Sequence, residues 1–139
     1  MATDNEKIML NSFNNLAEEF VEKMVASFPN EHKLRGYQAT FLTTKRFNNK
    51  KPVEFFMSTL LPYGEQILQR NECFFRQDNL VGRAQSFSGQ TGLTNYWETI
   101  SQDDKNSIWE YIQTLYIIGM KAIGRGEQLN ELLKKNLNQ

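Results

Sequence analysis

Residues 107–124, SIWEYIQTLYIIGMKAIG, form the most apolar run in the chain and restrict its fold more than any other stretch. Ile108, Trp109, Ile112, Leu115, Tyr116 and Ile123 recur at steps that share one broad helical face, and Met120 extends it. Upstream, Ser101 followed by Asp104 makes a capping-box-like start, with Asp103 and Asp104 where a helix dipole favours negative charge. Glu110, Gln113 and Lys121 interrupt the run before it reaches the ~20 apolar residues that a membrane-spanning helix needs. The pattern predicts the central helix of a bundle over 101–123. Gly119 in its interior admits close approach by another backbone or a large ring, and Gly124 and Gly126 read as its end.

The rest of the chain carries the same period. From Ile8 to Phe28, the apolar residues Phe13, Leu16, Phe20, Met24 and Phe28 recur at steps of three and four, while Asn14, Glu18, Glu19 and Glu22 fall elsewhere. Pro29 stops this helix by disfavouring helical geometry at Phe28. Residues 31–43 place Leu34, Tyr37 and Phe41 at helical steps, although Gly36 and the Thr-rich end weaken the helix, and a short strand over Ala39–Thr44 is the competing reading. RFNNKKP (46–52) reads as a loop whose Pro52 opens the next helix. Pro62 breaks that helix and restarts it, Asn71 suits a cap for the turn NECFF, and 79–92, with three Gly, reads as a long loop pinned by Phe87. The tail places Leu129, Leu132, Leu133 and Leu137 on one stripe, which must cover either its own bundle or a second subunit. The expected architecture is an all-α single domain over 1–139, a bundle of five to seven helices.

At 139 residues the chain can bury a core without metal or disulfide staples. Its 16 basic and 16 acidic side chains cancel, so no global field draws it to nucleic acid or an anionic membrane. The charge is unevenly placed, however. Residues 1–28 hold two lysines against five carboxylates, and 29–78 hold eight cations against five. That split suits intramolecular packing or self-association at least as well as a foreign partner. Cys73, the single cysteine, excludes an intrachain disulfide and reads as a small buried hydrophobe in a reducing compartment. The segment MATDNEKIML lacks the basic and apolar parts of a signal peptide, which predicts a protein made and used on the cytosolic side of membranes.

Few constellations carry chemistry. His32 is the only histidine and sits in a solvated first helical turn, with nothing tying it to Cys73 or a serine. The carboxylates lack the His-bearing spacing of di-iron bundles and the Gly-centred loop of an EF-hand. GMKAIGRG lacks the Gly-Lys-Ser/Thr ending of a phosphate loop. No catalytic, cofactor or metal residue is expected. The strongest binding candidates are Lys45, Arg46, Lys50 and Lys51, four cations without an intervening carboxylate that could neutralise phosphates while Phe47 stacks on a base.

The segment LTNYWETISQDDKNSIWEYIQTLYIIG (93–119) resembles a pattern in small helical virion proteins of nucleocytoplasmic large DNA viruses, most nearly the Marseillevirus-like viruses of amoebae. PYGEQILQRNECFF (62–75) is similar to its companion element, and Phe28-Pro29 adds a third point. The resemblance implies an abundant, non-enzymatic particle component delivered into the host cell at infection. It offers no catalytic residues. Trp97, Ile108, Trp109, Ile112, Leu115 and Tyr116 would form the signature helix and its lead-in, with Tyr63 and Phe74 packing on it.

The expected function is therefore that of a structural or interaction protein of a giant virus, found in the virion and the host cytoplasm or nucleus, without membrane insertion. Partners would be a second copy, through Leu129, Leu132, Leu133 and Leu137, and other virion or host proteins. The alternative is a nucleic-acid or chromatin-associated accessory factor acting through Lys45, Arg46, Lys50 and Lys51. An enzyme built on carboxylates from distant helices comes third.

Overall fold

A computed structural model of the chain describes residues 3–72 and 97–137. Cys73, Phe74, Phe75, the loop 79–92 and its Phe87, as well as the first part of the 93–119 pattern, lie outside the described residues. Five helices of ten residues or more carry the fold: α1 (Asp4–Ser27), α2 (His32–Phe47), α3 (Lys51–Leu60), α5 (Gln102–Ala122) and α6 (Gly126–Leu137). A 3₁₀ turn (Leu61–Tyr63) links α3 to the short α4 (Gly64–Leu68), and a second (Trp97–Thr99) precedes α5. Among the described residues there is no strand, so the competing strand over Ala39–Thr44 is replaced by helix.

Local chemistry sets most of the boundaries. Thr3 caps α1, its Oγ1 accepting from the Glu6 N–H at 3.0 Å, so the helix begins four residues before the apolar period does. Ser101 caps α5 as expected, accepting from the Asp104 N–H at 3.1 Å. Glu31 caps α2 through the Lys33 N–H at 2.9 Å. Pro62 sits in the 3₁₀ turn between α3 and α4, where its missing N–H costs no helical hydrogen bond. Two sequence expectations shift. α2 runs through Arg46 and Phe47, so the expected loop contracts to Asn48–Lys50, a turn in which Asn48 Oδ1 accepts from the Lys50 N–H at 3.0 Å. Gly124 ends α5 with φ +79°, but Gly126 opens α6 rather than closing α5.

α5 is the centre, packed by α1, α3, α4 and α6. Ile108, Trp109, Ile112, Leu115, Tyr116 and Met120 are all buried, while Ile123 is only half-buried. From α1 the buried residues are Leu10, Phe13, Ala17, Phe20, Val21 and Met24, with Leu16 and Phe28 half-buried at the margin. Ring pairs fix the contacts: Phe20 stacks on Tyr111 at 4.9 Å, and Phe13 meets Phe56 edge-on at 5.4 Å. Trp97 meets Trp109 edge-on at 5.8 Å, and Tyr63 joins the core from the linking turn. Gly119 admits a thioether rather than a backbone or a ring, since a Cβ there would collide with Met57 Sδ. No described helix is long and apolar enough to cross a membrane.

One buried side chain breaks the amphipathic reading of α1. Asn14, off the apolar stripe by sequence, is 3 % exposed, and its amide nitrogen donates to the Asn49 carbonyl at 2.9 Å. The bond ties the α2–α3 turn to the middle of α1, and only the tertiary arrangement shows it.

Candidate functional site

Where α2 leans over α1 and α3, the helices leave an open trough of about 880 Å³. One face of α2 supplies a wall, with Lys33, Gly36, Tyr37, Thr40, Phe41 and Thr44 following one another at helical steps. α1 contributes Phe13, Ala17, Phe20 and Val21 to the floor, and α3 closes the far end with Lys51, Pro52, Phe55 and Phe56. Phe55 is 41 % exposed at the lip. The walls are therefore aromatic and aliphatic, two threonine hydroxyls lie along one side, and an ammonium stands near each end of the α2 wall. No carboxylate lines the trough among the described residues.

Electrostatics differ at the two ends. Lys51 lies 3.6 Å from Glu54, whereas Lys33 has no ion-pair partner among the described residues. Tyr37, half-buried on the α2 wall, has its phenol pushed up to about 12 because burial penalises the phenolate. Gly36 has a different meaning from Gly119. A Cβ at Gly36 would meet nothing within 4 Å. A glycine in mid-helix costs about 1 kcal/mol relative to alanine, and here no close packing explains it; its bare Cα leaves the lip of the trough clear.

The four basic candidates are close in the chain but not alike. Lys45 is held by Glu18 of α1 at 2.7 Å and Lys51 by Glu54, so two of the four are already paired. Arg46 and Lys50 are exposed with no ion-pair partner among the described residues, beside Phe47 at 84 % exposure. The Lys45–Glu18 contact also joins the acidic first segment to the basic second one inside a single chain.

The leucine stripe goes mostly inward. Leu129 is fully buried in the chain's own core, and Leu132 and Leu133 pack half-buried against it. Leu129 thus offers no surface to a second subunit; it is part of the buried core. Leu137 alone of the four stays out, 85 % exposed. His32 is exposed at the start of α2. Among the described residues no group of three His, Cys, Asp or Glu side chains is placed to hold a metal ion.

Sequence reasoning missed the trough. Its signal was present, a helical face mixing Lys33, Gly36, Tyr37, Thr40 and Thr44, but a face of that composition reads as solvated until the partners on α1 and α3 are placed. The class these observations define is an all-α helical bundle with an open apolar trough. The chain matches no known family model, no curated protein and no solved structure.

Proposed function

We propose that this chain is a non-enzymatic structural or interaction protein of a large DNA virus, an abundant virion component that acts by binding at the α1–α2–α3 trough rather than by turnover. It is carried as a homodimer and reaches the host cytoplasm or nucleus with the particle. The observation that carries the binding role is the trough itself, a mostly apolar hollow of about 880 Å³ beside the buried core. The viral origin is supported by the resemblance in residues 62–75 and 93–119. The dimer is supported by Leu137, the one leucine of the tail stripe left exposed.

Quantitative mass spectrometry of purified particles tests the reading. High copy number is expected; near absence from particles, with accumulation only after infection, would sink it.

A second reading, nucleic-acid binding, is favoured by one observation, the exposed Phe47 flanked by the unpaired Arg46 and Lys50. With Lys45 and Lys51 already engaged, about two phosphates would be neutralised, which gives a log–log salt slope of about −2. Arg46→Ser with Lys50→Ser should abolish that slope. Binding that ignores salt would leave only the first reading.

A further inference from the structure

We propose that the α2–α3 turn, residues 46–50, binds single-stranded nucleic acid, with an unpaired base stacked on Phe47 and the neighbouring phosphates on Arg46 and Lys50. This names the ligand class for the second reading above and rests on it.

The turn combines a tied backbone with outward side chains. The Asn48 N–H donates to the Thr44 carbonyl at 2.9 Å, and the Lys51 N–H donates to the Asn48 carbonyl at 3.1 Å. From beneath, the buried Asn14 amide donates to the Asn49 carbonyl at 2.9 Å. All five residues from 46 to 50 are nonetheless exposed. A backbone held in this way loses little further freedom when a ligand arrives. Phe47, at 84 %, is the most exposed phenylalanine among the described residues, a ring that the chain's own core does not use.

The side chains at the turn select the ligand. Arg46 and Lys50 have no ion-pair partner among the described residues, so each can take a phosphate without first losing one. Phe47 between them offers a flat face of the kind that bases stack on. In a duplex both faces of a base are already covered, and reaching one requires unstacking a step, a cost that two cations repay poorly. A lipid surface fits less well, because sinking the ring into a bilayer would strip water from the exposed amides of Asn48 and Asn49 beside it. Those amides suit the edges of an unpaired base instead.

Fluorescence anisotropy with the full-length chain at low salt tests this, using a labelled twelve-residue oligothymidylate, the matching oligouridylate and a mixed-sequence duplex of the same length. Saturable binding of both single strands is expected, because neither the ring nor the cations read the sugar, with the duplex about tenfold weaker. The log–log salt slope should be about −1.4, the value for two phosphates on a single strand. Phe47→Ala should weaken the single strands about tenfold while the thermal midpoint by circular dichroism stays level, and Phe47→Trp should retain them. Equal affinity for the duplex, or an unchanged affinity in Phe47→Ala, would overturn the single-strand class. The second reading would still stand if Arg46→Ser with Lys50→Ser abolished the salt-dependent binding. Binding to none of the three nucleic acids would sink both. Phe47-dependent binding to phosphatidylserine vesicles without binding to either oligonucleotide would replace both with a lipid surface.

Discussion

Gly64 and Tyr116 show how single atoms are positioned in this core. Tyr116 is fully buried, its hydroxyl has no hydrogen-bond partner among the described residues, and burial raises its pKa. A Cβ on Gly64 would run into that hydroxyl and lie 3.2 Å from a Leu132 methyl. Gly64→Ala should therefore cost about 1–3 kcal/mol by overpacking. Tyr116→Phe should be close to neutral, since it removes an unsatisfied group, and it should lessen the cost of Gly64→Ala in the double variant. A double-mutant cycle by urea denaturation measures the coupling; strict additivity would refute the contact. Tyr37 yields a pH prediction. Its phenol is held neutral to about 12 in the folded chain against about 10 unfolded, so between those values the unfolded state binds fewer protons. Stability should be intact below about pH 10 and fall as pH rises towards about 12. Tyr37→Phe should show a smaller loss between about pH 10 and about pH 12 in guanidinium unfolding.

At the scale of elements, capping chemistry and period were legible and packing faces only partly so. The Ser101 cap was read from sequence and is present; Ser101→Ala should lower stability by about 1 kcal/mol, read as a drop in the denaturation midpoint. Gly36 was read from sequence as a weak point in the helix over 31–43, but that the space beyond it is empty was not visible. Gly36→Ala should stabilise the protein by up to about 1 kcal/mol, in contrast to Gly64→Ala, although both place the same methyl group on a helix. The Lys45, Arg46, Lys50 and Lys51 cluster was legible as a run of cations. The loss of Lys45 to Glu18 was not, because that partner lies 27 residues away in sequence and is brought near only by the α1–α2 packing. Asn14 is the same lesson with the opposite sign: a residue assigned to solvent is drawn inside because the α2–α3 turn arrives above it.

For the whole molecule, the leucine-striped tail separates two arrangements that share one pattern. α6 folds back on its own bundle, with Lys135 of α6 hydrogen-bonded to Glu65 of α4, and Leu137 is left as the exposed end of the stripe. A dimer built there should respond to Leu137→Ser by dissociating without unfolding, whereas Leu129→Ser should unfold the monomer itself by placing a hydroxyl in the core. Light scattering at high micromolar concentration alongside circular dichroism distinguishes the two. A wild-type chain that is monomeric under those conditions would remove the homodimer.

The sequence by itself determined the helical periods, the Ser101 cap, the Pro29 and Pro62 breaks and the central place of α5, because period, capping and proline sterics act over a few residues and are written locally. Only the tertiary structure decided which leucines turn inward, which cations are already paired, and that three helices leave a trough beside Gly36. Those outcomes depend on which residues from distant parts of the chain meet, and pairing of that kind leaves no spacing in the sequence to read.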